Sequence, residues 1–203
     1  MMRTRLLSLV IASVMVLVIH GSVVAFQDNP LIEVPGRIAF IGEDFNVYSF
    51  DVHNRDVDML TNDGDTIQRR YQWPTWSRQN DLAYFCCEGQ VELEIFYSAD
   101  GIETGDSVYE SLGEAFTYAG WAPAQCSDEN TCYNLAVLIS NLSNGRFDMR
   151  LVNSRGQDDT LFVDSGAPFY YSWSPDSQRL LLARNERFIE VFDVQTESTT
   201  SIE

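Results

Sequence analysis

Side chains that could perform acid–base or metal chemistry are scarce in this sequence. The only histidines are His20 and His53, which excludes a metal site built from several histidines. A hydrolase with a serine nucleophile and a histidine base would depend on His53, which lies in a polar hairpin and is expected to be an exposed turn residue. No Gly-x-Ser-x-Gly, phosphate-binding loop or His-Glu-x-x-His pattern occurs. We therefore expect no enzymatic activity, no catalytic residue and no cofactor.

Acidic side chains form short clusters that could attract calcium. Carboxylate oxygens are the ligands that calcium prefers, and alternate carboxylates can reach one ion. None of the clusters fits the twelve-residue calcium loop, which needs a glutamate further along the chain. Calcium binding stays an alternative, and we favour solvated turns. The clusters are Asp63 with Asp65, Asp128 with Glu129, and Asp158 with Asp159.

The charge balance excludes two classes of partner. All 13 basic residues are arginines, against 30 acidic residues, and the net charge is −17. Such a chain cannot neutralise a row of nucleic-acid phosphates or dock on an anionic membrane surface. It favours cationic partners or metal ions. Arg69 and Arg70 could receive a carboxylate or phosphate group, and we favour their pairing with neighbouring acids.

The first 25 residues have the composition of a secretory signal. Arg3 and Arg5 precede an apolar stretch over residues 6–19, and small residues end at Ala25, after which we expect cleavage. The alternative is an uncleaved membrane anchor that extends to Phe26. Both readings place the rest of the chain outside the cytoplasm, in the periplasm or the extracellular space, where disulfides can form.

Four short apolar runs recur in phase along residues 37–203. They start at residues 37, 81, 134 and 179, and each is followed within about a dozen residues by a second run rich in Val, Ile, Phe and Tyr. An aromatic element precedes the last three units, and Gly, Asn, Asp and Pro bound the runs. This pattern predicts an all-β chain.

The repeat length indicates the architecture. A period of about 45 residues with four strands is typical of a β-propeller blade, which must stack on neighbours to bury both faces. We expect about four four-stranded antiparallel blades over residues 37–70, 71–115, 116–167 and 168–203, with three strands visible in the first. Residues 26–36 would be a linker or a closing strand. Either residues 31–34 supply that strand and a four-bladed ring closes, or, as we favour, the chain is an incomplete part of a larger propeller.

The aromatic elements resemble a known family. Residues 173–180 look like the Trp-Ser-Pro-Asp-Gly signature of TolB-like, WD40-like propeller repeats, and residues 121–123 and 76–77 match it in degraded form. The resemblance implies structural roles for these residues: the tryptophans pack between blades, and the prolines and the aspartate shape the hairpin after the inner strand. The residues concerned are Trp76, Trp121, Pro123, Trp173, Pro175 and Asp176.

The positions of the cysteines in the predicted blades favour one pairing. Cys126 and Cys132 flank five residues of a loop between an inner and a second strand, so we expect them to form a disulfide that closes this loop. Cys86 and Cys87 end a second strand towards the opposite face of the propeller. They are either two buried thiols or an adjacent disulfide.

These features together predict an exported scaffold without enzymatic activity. We expect its loop face to bind a partner protein or a small ligand. Two alternatives come from other classes. One is the accessory propeller of a prolyl-oligopeptidase-like peptidase, and the other is a propeller glycosidase that uses a pair of carboxylates.

Overall fold

The computed structural model describes residues 36–87, 92–124, 133–156 and 160–202. The predicted signal over residues 1–25, most of the predicted linker, and both Cys126 and Cys132 lie outside these ranges. Every regular element in the described part of the chain is a β-strand, which confirms the all-β prediction. Among the described residues, no helix has the length and apolar character needed to cross a bilayer.

In the part of the chain that the structure describes, fifteen strands form four antiparallel sheets in chain order, which confirms a propeller of about four blades. The first blade has three strands, as the sequence indicated, and the other three have four. The first blade consists of β1 (Arg37–Ile41), β2 (Val47–Asp51) and β3 (Val57–Met59). The second consists of β4 (Gln72–Trp76), β5 (Leu82–Cys86), β6 (Glu92–Ser98) and β7 (Asp106–Leu112).

The third and fourth blades repeat the same up-and-down order. The third consists of β8 (Glu114–Trp121), β9 (Leu135–Asn141), β10 (Arg146–Val152) and β11 (Leu161–Gly166). The fourth consists of β12 (Phe169–Trp173), β13 (Arg179–Arg184), β14 (Phe188–Asp193) and β15 (Ser198–Ser201). The inner strands of the last three blades are therefore β4, β8 and β12.

Three apolar clusters lie between the four blades and hold them together. The first joins Val47 and Leu60 to the second blade, the next joins Phe85 and Ile95 to the third, and the last joins Leu138 and other residues to the fourth. All five residues of β5 are buried, because this strand has a blade on each side. In the described residues no cluster joins the first blade to the fourth, so the blades form an open series.

One glycine shows how tightly the second blade is packed. Gly101 lies in the turn between β6 and β7 at φ +56°, and a Cβ atom there would overlap the Trp76 indole ring. Gly145, in the turn between β9 and β10, has a similar φ of +69° but nothing within 4 Å of a Cβ position. Both glycines therefore meet the demand for a left-handed backbone, and Gly101 additionally makes room for the tryptophan.

The pair Gly101→Ala and Gly145→Ala separates these two effects. We expect Gly145→Ala to lower the free energy of unfolding by about 1 kcal/mol, the cost of a left-handed alanine. Gly101→Ala should cost about 1–3 kcal/mol more, because the Trp76 ring must move. Urea denaturation of both variants measures the difference. Equal losses would contradict the packing of Trp76 against this turn.

Candidate functional site

Aromatic rings from three successive inner strands form a row. Trp73 of β4, Tyr118 of β8 and Tyr171 of β12 contribute one ring from each blade. The ring centroids of Trp73 and Tyr118 are 6.4 Å apart, and those of Tyr118 and Tyr171 are 5.8 Å apart. Trp73 and Tyr118 are each about half exposed, at 51% and 48%. The rings meet edge to face or tilted, at 71° and 51°, and the two half-exposed rings offer an apolar contact surface.

Bulges in β4 and β8 accompany the outward orientation of Trp73 and Tyr118. The register between β4 and β5 shifts between Gln72 and Thr75, and the register between β8 and β9 shifts between Phe116 and Tyr118. Trp73 itself has a φ of +51°, a conformation that L-residues rarely adopt. Because a bulge inserts an unpaired residue and re-aims its neighbours, it places Trp73 and Tyr118 on the surface.

A cleft of about 330 Å³ opens beside this row, between the third and fourth blades. Its walls are mainly aromatic and aliphatic. This size and lining are typical of sites for small ligands or for single apolar side chains. The lining residues are Thr117, Tyr118, Leu138, Phe147, Pro168, Phe169, Tyr170 and Tyr171.

Hydrogen bonds between blades fix the walls of the cleft. The Tyr171 hydroxyl donates to the Ala136 carbonyl at 2.8 Å, and the Trp173 indole N–H donates to the Gly120 carbonyl at 3.0 Å. Burial raises the pKa of the Tyr171 phenol well above its usual range. The cleft is therefore preformed, with a neutral phenol at its base.

A second, more polar cavity of about 220 Å³ lies between the first two blades. Arg69 in its wall pairs with Asp63 at 2.9 Å and with Glu94 at 2.7 Å, and its Nε atom donates to the Tyr71 hydroxyl. Arg70 lies over the Phe45 ring, with its guanidinium carbon 4.7 Å from the centroid. The predicted pairing with neighbouring acids agrees with the geometry of Arg69, whereas the described contact of Arg70 is with an aromatic ring.

The acidic cluster at residues 63–65 forms a turn. Asp65 accepts hydrogen bonds from the backbone N–H groups of Ile67 and Gln68, both at 2.6 Å. Asp63 accepts from the Tyr71 hydroxyl and pairs with Arg69. The described residues hold no group of three or more His, Cys, Asp or Glu side chains placed for a metal ion. Asp128, Glu129, Asp158 and Asp159 lie outside the described ranges.

The repeated tryptophans lie between blades. Trp76 packs on the cluster between the first two blades, Trp121 on the next and Trp173 on the last. The Trp121 ring meets Tyr97 of the preceding blade edge to face, with centroids 5.9 Å apart. None of the three rings lines the aromatic cleft.

The hairpin residues of the signature shape a turn after β12. Pro175 lies in this turn, and the Asp176 carboxylate accepts from the Ser174 hydroxyl and the Gln178 N–H, which lowers its pKa. Ser177 has a φ of +61° at the position where the family signature has glycine. Its hydroxyl accepts from the N–H of Ala124, next to Pro123 in the third blade, at 2.7 Å.

The two cysteine pairs have different outcomes. Cys86 and Cys87 form a disulfide with each other, buried in the cluster between the first two blades, so the adjacent disulfide is the alternative that the structure contains. The predicted disulfide between Cys126 and Cys132 lies outside the described residues and stays a prediction.

The aromatic row was not predicted as a site. Each of the three aromatic elements contains a second ring two or three residues before its tryptophan: Trp73 before Trp76, Tyr118 before Trp121, and Tyr171 before Trp173. That recurrence is the signal that could have revealed the row. The interpretation of the elements as packing motifs accounted for only one ring in each.

Comparisons with known proteins give only distant likenesses. No family model matches the chain, and no curated protein matches it. An oligogalacturonate lyase from Vibrio parahaemolyticus has a TM-score of 0.47 at 12% identity, over 77% of this chain and 42% of that one. A chain of the mitotic checkpoint complex has a TM-score of 0.46 at 11% identity, over 82% and 47%. A chain in the complex of KlAtg21 with the coiled coil of AgAtg16 has a TM-score of 0.44 at 10% identity, over 77% and 49%.

The chain thus spans less than half the length of these three structures. The assignment as a propeller depends on the chain's own four stacked sheets.

Buried tyrosines make stability sensitive to alkaline pH. Burial raises the pKa of Tyr71 and of Tyr109 to about 12, and that of Tyr171 further. In the unfolded chain these phenols lose their protons near pH 10, whereas the folded chain retains them. The unfolded state then binds fewer protons, so the free energy of unfolding should fall from pH 10 upward.

The test is urea denaturation between pH 9 and pH 11.5. Tyr171→Phe should make the decline of the free energy of unfolding less steep. The reduction is at most the contribution of one proton, about 1.4 kcal/mol per pH unit above pH 10. Tyr170→Phe alters a ring that is 68% exposed, and this variant should have the same slope as the unaltered chain. A free energy of unfolding that stays constant up to pH 11.5 would contradict the burial of these phenols.

Proposed function

We propose that this chain is an exported, non-enzymatic β-propeller scaffold that binds a partner protein or a small ligand through an apolar anchor group. The aromatic cleft between the third and fourth blades carries this proposal. It is preformed, has a volume of about 330 Å³, within the range of small-ligand pockets, and adjoins the half-exposed rings of Trp73 and Tyr118. Aromatic residues with an apolar body and a polar tip are the side chains that binding surfaces favour.

The lining of the cleft supports binding more than catalysis. The Thr117 hydroxyl, one of its few polar groups, is hydrogen-bonded to the Ser140 hydroxyl at 2.8 Å. The Tyr171 hydroxyl is engaged with a backbone carbonyl. Both hydroxyls hold the wall in position. An apolar group that enters the cleft would displace water from the surfaces of rings and aliphatic side chains.

The charge of the chain supports a cationic partner. A net charge of −17 attracts basic proteins and peptides over the range of a Debye length. An apolar anchor flanked by basic residues would combine this attraction with burial in the cleft.

Two further parts of the proposal depend on the sequence. The charged and apolar pattern of residues 1–25 supports export, by cleavage after Ala25 or by an anchor. The resemblance of residues 173–180 to the Trp-Ser-Pro-Asp-Gly signature supports membership of the TolB-like repeat family. The left-handed Ser177 at the glycine position of that signature agrees with the assignment.

Short peptides that differ only in the anchor test this function. We expect Arg-Phe-Arg to bind at least about tenfold more tightly than Arg-Gly-Arg, because burying a Phe side chain contributes about 1.5–3 kcal/mol. Isothermal titration calorimetry measures both affinities. Equal affinities would show that charge alone attracts the peptides and would contradict the proposal.

Two substitutions locate the binding. Tyr118→Ser removes a wall of the cleft and should abolish the preference for the Phe peptide. Phe162→Ser removes a ring of similar exposure, 49%, on the outer strand β11 and should preserve that preference. Loss of the preference in the Phe162 variant, or its retention in the Tyr118 variant, would place the site elsewhere.

A further inference from the structure

The first and last blades each expose one apolar face. On the first blade this face, which we call the leading face, carries six apolar side chains in two rows across the sheet. The register places Phe40 opposite Tyr48 and Ile38 opposite Phe50, and β3 completes both rows. Ile38 is 54% exposed and Phe40 is 40% exposed. The leading face consists of Ile38, Phe40, Tyr48, Phe50, Val57 and Met59.

The exposed face of the fourth blade, which we call the trailing face, also carries apolar side chains, and the polar residues Ser172 and Thr200 lie at the two ends of one row. Leu181 lies opposite Val191, and Ala183 lies between Tyr170 and Ile189. Leu181 is 45% exposed and Ile189 is 51% exposed. Monomeric proteins rarely leave contiguous apolar surfaces of this kind uncovered, and this chain has two.

In the other three blades, the strands aligned with β1 show what covers a leading face. The residues aligned with Ile38 are Leu82, Leu135 and Leu180, and all three are at most 1% exposed. Each belongs to the apolar cluster between its own blade and the preceding blade. The exposure of Ile38 therefore reflects a missing neighbour on this side of the first blade.

The same alignment shows what covers a trailing face. The residues aligned with Leu181 are Ala39, Ala83 and Ala136, and the last two are fully buried against the following blade. Every contact between blades within the chain thus joins a trailing face to a leading face. One face of each kind remains without a partner in the described residues.

We propose that two copies of this chain associate head to tail, with the trailing face of each copy on the leading face of the other. A second copy is the occupant that offers both of the required faces, already built in the blade geometry that the chain uses internally. Propellers close with about four to eight blades. Two copies with four blades each make eight, and a heterologous contact that closes in this way forms a ring with twofold symmetry.

This association goes beyond the proposed function and is tested separately from it: Trp73 and Tyr118 belong to neither face, and Tyr170 is the one cleft residue that also lies on the trailing face. It does depend on salt. Each copy has a net charge of −17, so the copies repel each other at low ionic strength. Because salt screens this repulsion and leaves the apolar contacts intact, we expect tighter association at 0.5 M NaCl than at about 0.05 M.

Sedimentation velocity of the full chain, expressed with its own N-terminus, tests the assembly. The expected result is a two-chain species that dissociates on dilution. Phe40→Asp on the leading face and Leu181→Asp on the trailing face should each weaken it on the order of 100-fold, because each buries an unpaired carboxylate. Leu112→Asp alters an apolar residue that is 80% exposed and outside both faces, and should leave the association unchanged.

A mixing experiment distinguishes head-to-tail pairing from pairing of like faces. The Phe40→Asp variant retains its trailing face, and the Leu181→Asp variant retains its leading face. An equimolar mixture should therefore form an open heterodimer with one intact interface, although neither variant associates strongly alone. If the mixture stays monomeric, or if only one of the two substitutions has an effect, the head-to-tail arrangement is wrong.

Two controls keep the result decisive. Circular dichroism must show the same β-sheet content in each variant, and Met59→Ser and Ile189→Ser replace the aspartates if either variant fails to fold. A monomer at all concentrations and both salt levels, with both faces unaltered, would overturn the proposal. That outcome would mean that the two faces do not bind each other and that the chain functions as an open series of blades.

Discussion

A blade in this chain has apolar side chains on both faces of one sheet, so it buries both faces only with a neighbour on each side. The second strands show this constraint most clearly. All five residues of β5 are buried, whereas β1 alternates between partly buried and exposed residues because it has a neighbour on one side. The position of each cluster, of each repeated tryptophan and of both exposed faces follows from this requirement.

The candidate binding site depends on the same stacking. Blade contacts bring the inner strands side by side, so that Trp73, Tyr118 and Tyr171 come from three blades and yet form one row. The bonds from Tyr171 and Trp173 to backbone carbonyls of the third blade hold the cleft open without a ligand. A site assembled across blades in this way gains its rigidity from the scaffold.

Local patterns in the sequence predicted the strands and their order, because alternation and turn residues act over a few positions. The aligned runs at residues 37, 81, 134 and 179 all begin at or one residue before a strand. The aromatic cleft could not be predicted in this way, and local patterns left the adjacent disulfide as one of two alternatives. The exposure of Trp73 depends on a bulge, and the partners of Cys86 depend on backbone geometry that neighbouring residues alone do not determine.

Hydrogen exchange resolved by strand, at high dilution, tests most directly the claim that blade neighbours determine stability. The account predicts the slowest exchange in β5 and β9, whose blades have neighbours on both sides, and faster exchange in β2 and β14 of the terminal blades. Protection of β2 and β14 should rise with protein concentration, whereas that of β5 and β9 should stay constant. Equal protection of all four blades at high dilution would contradict the account, because it would show that the terminal faces are already covered within one chain.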